Sequence, residues 1–418
     1  MSKTLFGIKC WYKNHVILLI PILAFVLSGC EKENNNKVDT SKKIAVVVYM
    51  AGESNLSDDA NVDFNEMILG CQYMTDNDRL FVYMDNANRS TLPCIYEISK
   101  KDIEDGKRKE IKPSFTFDSD HNSASASTLS KVLDHVYTRF GADSYRLVLW
   151  SHGSGWVPSM PDTKANIRPT LKAFGVDTGN NNKYSSMGDQ MEIVDLAKAL
   201  EKRSPLDLIM FDACFMQTIE VAYELRKSSR YIIGSPAEIP GWGAPYDDIL
   251  HPLFSDSLDV NAVISSYQNN YKENHSWFGI LLSAIDCQEI EGFTQTHRFM
   301  MHKYCENIKE TDLNGVLNYF IFDEWKSMSD LPDQYDIKGL MQRIITNEED
   351  YIQWETSLNR LIPYSCQDNT WYTMYTSNNQ EVDTKQYSGL SMYLEQEKYS
   401  GHYYYDAYHQ TGWAKAMK

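Results

Sequence analysis

The chain alternates short apolar runs with segments of helical periodicity, and this alternation limits the folds open to it. Five runs are rich in β-branched and aromatic residues, namely Lys43–Ala51, Arg79–Asp85, Tyr145–Trp150, Leu206–Phe211 and Tyr231–Gly234. Helical patterns lie between them, at Thr128–Phe140, Ile193–Leu200 and Phe215–Leu225. Nearly all-apolar runs predict strands that are covered on both faces. Strands alternating with helices predict an α/β fold with a mostly parallel sheet and helices on both faces.

The pattern changes beyond about residue 255. Longer helical segments follow at Val260–Tyr271 and Phe293–Ile308, with one clear strand at Phe278–Ile285. At roughly 150 residues per domain, a chain of 418 residues suggests two domains, or one large domain with insertions. We therefore predict a main domain over residues 43–255 and a smaller C-terminal α/β subdomain over residues 256–418.

The N-terminus has the pattern of a bacterial export signal. Three lysines precede Val16–Leu27, an apolar run of 12 residues, whereas a transmembrane helix needs about 20. Residues 1–29 therefore predict a signal peptide. The run ends Leu27-Ser28-Gly29-Cys30, which resembles the lipobox of bacterial lipoproteins and implies cleavage before Cys30 and acylation of that cysteine. An ordinary signal peptide with an incidental cysteine is the alternative.

A polar segment separates this signal from the first predicted strand. Glu31–Lys42 contains one apolar residue, Val38, so it cannot bury enough surface to fold. Residues 30–42 predict a flexible tether. Together with the lipobox, the tether implies a membrane-anchored lipoprotein, in the outer membrane and facing the periplasm or the cell surface.

Charge and cysteine spacing exclude several classes of site. Lys plus Arg total 40 against 57 Asp plus Glu, for a net charge of -17. Such a chain has no electrostatic reason to bind nucleic acid. It could attract cationic peptides, although solubility alone also explains an acidic surface. The spacings of the eight cysteines match no zinc pattern, so we predict no metal site.

Two predicted strands run into reactive side chains. Tyr145–Trp150 leads to His152 and Gly153, and Leu206–Phe211 leads to Asp212 and Cys214. Ligands bind outside the carboxyl ends of strands in open parallel sheets. A thiolate nucleophile needs a nearby base and polarised N–H groups, which two adjacent strand ends can supply.

Taken alone, a cysteine is more often a buried core thiol and a histidine an ordinary loop residue. At two such strand ends, however, Cys214 and His152 predict a nucleophile and its acid–base partner. Cys214 is also expected at the start of the Phe215–Leu225 helix, where the helix dipole favours a thiolate.

Four stretches together resemble the clostripain-like cysteine peptidases. They are VVYMAGESNL, LVLWSHGSGW, IMFDACFMQTIEVAYEL and the ending GLSMYLEQ…YYYDAYHQTGW. The match runs from about Lys43 to the C-terminus and implies the caspase–gingipain fold and a cysteine endopeptidase acting on protein or peptide substrates. By this resemblance Cys214 is the nucleophile, His152 is the general acid–base, and the amides of Gly153 and Cys214 form the oxyanion hole. No cofactor is expected, and calcium is implied by the resemblance alone.

The same resemblance places Asp212 in the pocket for a Lys or Arg side chain just before the scissile bond. An aspartate ahead of a helix can also be its N-cap, and the two roles are compatible. One segment departs from the family. Members that cut after basic residues resemble E-x-P-G-D-G-W, with a second pocket acid, whereas Glu238–Gly243 reads EIPGWG. Glu238 is nearby but shifted, and the loss of one buried acid weakens discrimination for a cation.

A long polar segment connects the two predicted catalytic strands. Val157–Phe174 contains Lys164, Arg168 and Lys172, and relatives in the family are matured by a cut in this region. The resemblance therefore implies activation by self-cleavage within residues 157–174. The alternative is a long surface loop with no regulatory role.

Two other functions are alternatives to the peptidase. An α/β-hydrolase is suggested by His152–Gly155, which is similar to the HGGG oxyanion motif. That fold requires a downstream G-x-S-x-G nucleophile elbow, which the sequence lacks. The second alternative is a non-catalytic surface binding lipoprotein on the same fold.

Overall fold

The computed structural model describes residues 41–104, 111–157, 174–320, 332–371, 373, 379–396 and 400–418. Ser41–Lys418 form one compact unit. The predicted signal peptide, Cys30 and most of the predicted tether lie outside the described residues, as do residues 158–173 of the predicted cleavage loop.

The main elements alternate between strand and helix, as the sequence predicts. The strands are β1 (Ile44–Gly52), β2 (Arg79–Asn86), β3 (Cys94–Ile98), β4 (Phe115–Thr116), β5 (Ser144–Trp150), β6 (Phe174–Asp177), β7 (Asp189–Met191), β8 (Leu206–Asp212), β9 (Ser229–Gly234), β10 (Leu282–Asp286), β11 (Tyr335–Asp336), β12 (Tyr364–Cys366), β13 (Thr370–Trp371), β14 (Gln380–Glu381) and β15 (Ser391–Met392). The helices are α1 (Ser57–Gly70), α2 (Lys100–Glu104), α3 (Ala126–Arg139), α4 (Ile193–Leu200), α5 (Ile219–Leu225), α6 (Tyr246–Leu253), α7 (Val260–Asn274), α8 (Ile290–Lys303), α9 (Cys305–Glu310), α10 (Ile337–Ile344), α11 (Glu348–Leu361), α12 (Tyr403–Tyr408) and α13 (Gly412–Met417), with a 3-10 turn at Cys71–Tyr73.

Nine strands form the central sheet, in the order β12-β10-β9-β8-β5-β1-β2-β3-β4. The five strands from β9 to β2 are parallel. Antiparallel strands complete both edges, with β10 and β12 on one side and β3 and β4 on the other. The predicted α/β fold with a mostly parallel sheet is confirmed.

Helices cover both faces of this sheet, which is also as predicted. All nine residues of β1 are buried, and successive side chains enter two different cores because strand side chains alternate between faces. Ile44, Val46 and Val48 pack with residues of α1, α6 and α7. Ala45, Val47 and other alternate residues pack with α3, α4 and α5.

The part of the chain beyond residue 255 contributes to the same sheet. β10 pairs antiparallel with β9, and β12 pairs with β10. The predicted strand at 278–285 is observed at Leu282–Asp286, and the predicted helix at 293–308 is divided into α8 and α9. The division of the folded chain at residue 255 stays a prediction. No helix in the described parts of the chain is long and apolar enough to cross a bilayer.

Candidate active site

Adjacent parallel strands bring the two predicted catalytic segments to one edge of the sheet. β5 and β8 are paired with Trp150 opposite Asp212. His152 and Cys214 each lie two residues beyond that pair. The two segments touch at Gly153, where an added Cβ atom would lie 2.6 Å from the carbonyl oxygen of Cys214. Only glycine allows this approach, so the two backbones predicted to form the oxyanion hole lie side by side.

The turn that carries Cys214 differs from the prediction. The expected helix at Phe215 begins only at Ile219, with Thr218 as its N-cap. Phe215 has a φ of 60°, and its N–H donates to the carbonyl of Ala237 at 2.8 Å. Because this backbone bonds to the segment after β9, it does not start a helix. Cys214 therefore lies beyond the first turn of α5, where the helix dipole has faded.

The Cys214 thiol is enclosed by the backbone of Ile239. The Ile239 N–H donates to Sγ at 3.3 Å, and the Sγ–H donates to the Ile239 carbonyl oxygen at 3.6 Å. Burial, followed by the charge of Glu238, raises the pKa of Cys214 to about 12. The expected stabilisation of a thiolate is thus not present in this conformation, and the sulfur is a neutral thiol at pH 7.

His152 has a partner that the sequence did not reveal. Its Nε2 lies 2.7 Å from Oδ1 of Asn55, which is in the turn between β1 and α1. Desolvation of the partly buried ring lowers the pKa of His152 to about 4, so the imidazole is neutral at pH 7. The sequence contains one indication of this partner, which is that Asn55 follows the carboxyl end of a predicted strand, where ligands bind in open parallel sheets.

Asp212 faces the opposite direction from α5 and does not cap it. Its Oδ2 accepts hydrogen bonds from the Ala244 N–H at 2.9 Å and the Tyr246 hydroxyl at 3.0 Å. Its Oδ1 is buried without a hydrogen-bond partner. Since Thr218 is the N-cap, the capping interpretation of Asp212 is wrong. An unsatisfied buried carboxylate oxygen is costly and favours a role in binding.

A second buried carboxylate lies beside Asp212 and was missed in the sequence. Asp63 of α1 accepts a hydrogen bond from Trp150 Nε1 at 2.6 Å. A Cβ atom at Gly243 would lie 2.9 Å from an Asp212 oxygen and 3.2 Å from an Asp63 oxygen. Burial raises the pKa of Asp63, and repulsion from Asp212 raises it further, to about 9, so that Asp63 is a neutral carboxyl at pH 7 in this conformation. Two buried carboxylates in one place are expensive unless a cation joins them.

A separate acidic group lies at the ends of β1 and β2. Carboxylate oxygens of Glu53, Asp85 and Asp120 lie within 4.8 Å of one another, and oxygen ligands of this type suit calcium. Glu53 is already engaged, because its Oε1 accepts hydrogen bonds from Thr178 and from the backbone N–H groups of Asn180 and Asn181. Calcium binding stays an expectation from the family resemblance.

Comparison with known families supports the chemistry of this site. The family model described as the clostripain family matches residues 48–418, which is most of the chain. The chain belongs to the clostripain family. The resemblance seen in the sequence is thereby confirmed, and family membership supports a cysteine endopeptidase as the class of enzyme.

Solved structures of C11 cysteine proteases have the same fold. One is a secreted protease from Bacteroides thetaiotaomicron in complex with an irreversible peptide inhibitor, with 28% identity and a TM-score of 0.73, covering 90% of this chain and 99% of that one. Another is an inactive zymogen from Parabacteroides distasonis, with 26% identity and a TM-score of 0.70, covering 91% of this chain and 99% of that one.

The curated clostripain of Hathewaya histolytica is a more partial relative. It is 27% identical over 237 residues, which cover 52% of this chain. The match spans 43% of the length of that protein, so less than half of the curated relative is represented.

Proposed function

We propose that this chain is a cysteine endopeptidase that cuts after Lys or Arg, with Cys214 as nucleophile and His152 as acid–base partner. The observation that carries the proposal is the meeting of the two segments at the carboxyl edge of β5 and β8, where Gly153 packs on the Cys214 backbone. Turnover of a peptide substrate by the wild type beside a Cys214→Ala variant tests it.

Each of the named groups at the carboxyl edge of β5 and β8 has a role in the reaction. The Cys214 thiol gives its proton to His152, and the sulfur attacks the substrate carbonyl to form a C–S bond. The amides of Gly153 and Cys214 donate to the oxyanion. The imidazolium then protonates the departing amine as the C–N bond breaks. Water, deprotonated by His152, hydrolyses the thioester, and the proton returns to the thiol.

The resting contacts fit an enzyme that awaits its substrate. The thiol is bonded to Ile239 and the imidazole to Asn55, and catalytic hydrogen bonds commonly tighten only when substrate binds. Because the thiol and the imidazole are both neutral at pH 7, proton transfer must accompany attack. A non-catalytic binding lipoprotein remains the alternative function, and the same turnover assay separates the two.

Specificity for Lys or Arg is supported by Asp212. It ends the strand that leads to the nucleophile, and one of its oxygens is buried without a partner. A substrate guanidinium or ammonium would supply the missing donor and the missing positive charge. Trp242 stands where the family motif has its second acid, and it stacks on His275 at 4.3 Å. We assign the role of the lost acid to Asp63, which approaches from α1 and would ionise when a substrate cation binds beside it.

Maturation by self-cleavage is the next prediction. Wild-type protein should yield two fragments with a new N-terminus inside residues 157–174, whereas Cys214→Ala should stay intact. β5 before this segment and β6 after it are both buried, and the Gly175 N–H donates to the His152 carbonyl at 2.9 Å, so cutting their connection need not separate the fragments. The inactive zymogen state of the Parabacteroides distasonis relative supports this. Gel electrophoresis and N-terminal sequencing are the measurements, and a fully active, uncut wild type would contradict the prediction.

Membrane anchoring is predicted at Cys30. A clickable fatty-acid analogue fed to expressing bacteria should label the wild type and fail to label Cys30→Ser, because acylation requires the cysteine sulfur. Cys10, which precedes the expected cleavage site, provides the matched control, since Cys10→Ser should be labelled normally. Labelled Cys30→Ser would show that the signal is not a lipobox.

A further inference from the structure

Asn55 makes a contact that joins two distant parts of the chain. Its Oδ1 lies 2.7 Å from His152 Nε2, across 97 residues of sequence. The Asn55 backbone is fixed on the other side, where its N–H donates to the carbonyl of Ser185 at 2.8 Å. The preceding residue is also fixed, because the Ser54 N–H donates to the carbonyl of Gly52 at 2.7 Å. The amide side chain thus reaches His152 from a constrained turn.

The chemistry of this contact selects one form of the imidazole. An amide oxygen carries lone pairs and no hydrogen, so it can only accept. The hydrogen of neutral His152 must therefore be on Nε2, which leaves the lone pair on Nδ1. A general base needs its unprotonated nitrogen directed at the proton it removes. The bond to Asn55 keeps Nδ1 unprotonated and also restricts rotation of the ring.

We propose that Asn55 is a positioning residue that holds His152 with Nε2 protonated, so that Nδ1 exchanges the proton with Cys214 Sγ. The proposal rests on the proposed function of Cys214 and His152 and adds a third member to that pair. Asn55 acts through the imidazole, because its side-chain contact is with His152 Nε2. When Nδ1 takes the proton, the same carbonyl oxygen accepts a charge-assisted hydrogen bond from the imidazolium, which stabilises it.

The uncharged nature of Asn55 matters for the pH at which His152 works. Desolvation is the cause of the lowered pKa of His152, and a neutral amide does not offset it. A carboxylate at the same position would keep the acceptor and add an attractive charge, which raises the pKa of a histidine. Cys214, at the adjacent strand end, is the titratable group that exchanges the proton with His152 in this proposal, and burial raises its pKa. Asn55→Asp is therefore a substitution that changes charge while it preserves the hydrogen bond.

The test compares three variants with the wild type in a peptide assay. Asn55→Ala should lower kcat by about 10- to 100-fold, the usual effect of losing a partner that orients a functional histidine, with KM changed by less than about twofold. Asn55→Asp should restore kcat to within about tenfold of the wild type at its own optimum. Asn65→Ala is the matched control, because the Asn65 side-chain N–H donates to the Asn61 carbonyl one turn earlier in α1, and it should behave as wild type.

The pH profile distinguishes positioning from simple support of the turn. In Asn55→Asp the acid limb of kcat/KM should move upward by about one pH unit or more, a shift that a structural role does not produce. ¹⁵N-histidine NMR on a Cys214→Ala background should show Nε2-protonated His152, and loss of that preference on adding Asn55→Ala. This readout needs no turnover.

Two outcomes separate this inference from the proposed function. If Cys214→Ala is inactive while Asn55→Ala has wild-type kcat and an unchanged His152 tautomer, the positioning role is wrong and the peptidase assignment stands. If Cys214→Ala retains wild-type turnover, the peptidase assignment itself fails. An Asn55→Asp variant with an unmoved acid limb also overturns the positioning role.

Discussion

Cys214→Ala should lower kcat/KM for a peptide substrate by roughly 10⁴-fold or more, because no other group at this edge can form the thioester. His152→Ala should cost a comparable factor, since the buried thiol, with its pKa raised to about 12, stays protonated unless a base removes the proton during attack. The two losses should not add in the double variant, because nucleophile and base act as one unit. Steady-state turnover with all three variants measures this.

Cys305→Ala is the control for the nucleophile. Cys305 is the exposed free cysteine of the described residues, whereas four others are buried, so loss or alkylation of the Cys305 thiol should not by itself affect turnover. A peptidyl electrophile with a basic residue should label the wild type and Cys305→Ala equally and leave Cys214→Ala unlabelled. Mass spectrometry of the labelled peptide identifies the cysteine. Wild-type turnover by Cys214→Ala would refute the assignment.

The parts of the fold predicted from sequence are those fixed by local pattern. The strand predicted at Lys43–Ala51 is observed at Ile44–Gly52. The strand predicted at Leu206–Phe211 is observed at Leu206–Asp212, one residue longer. Strands buried on both faces have to be apolar along their whole length, so they are visible without knowledge of their neighbours. The predicted meeting of two strand ends needed one further fact, that β5 lies next to β8.

The features that the sequence did not predict depend on tertiary contacts. Phe215 leaves the helical region because its N–H bonds to Ala237, 22 residues later in the sequence, and this delays α5. The role of Asn55 arises because β1 lies beside β5 in the sheet. Asp63 reaches Asp212 because α1 packs on the face of the sheet that also holds Trp150. The hydrophobic periodicity of a segment does not predict any of these three placements, because each depends on a contact with another part of the chain.

Asp63 changes how the missing acid in the EIPGWG segment is interpreted. From sequence, the absent aspartate weakened the expectation for Lys or Arg. The Asp63 and Asp212 carboxyl groups both lie within 3.2 Å of the same added Cβ position at Gly243, so two acids are present although the motif has lost one. A bidentate guanidinium can bond to both, whereas an ammonium binds as a point charge. Within basic substrates we therefore expect Arg to be preferred over Lys.

Asp212→Asn should lower kcat/KM for substrates with Arg or Lys before the scissile bond by roughly 10²- to 10³-fold. Removing one partner of a buried ion pair costs about 3–5 kcal/mol, and about 1.4 kcal/mol corresponds to a factor of ten. Substrates with an uncharged residue there should change little. A peptide library varied at that position, profiled with wild type and variant, gives both numbers. An unchanged preference in Asp212→Asn, or a wild type that favours apolar residues, would contradict the pocket.

Stability separates loss of the pocket from loss of the fold. Burial raises the pKa of Asp212 from 3.8 to about 6, so between these values the folded state binds more protons than the unfolded state. The free energy of unfolding therefore falls as pH rises from about 4 to 6, and the loss persists at pH 8. Asparagine does not titrate, and its amide oxygen can still accept from Ala244 and Tyr246. Asp212→Asn should thus have a Tm at pH 8 equal to or above that of the wild type while its activity on basic substrates falls. A large drop in both would mean that Asp212 supports the fold rather than the specificity.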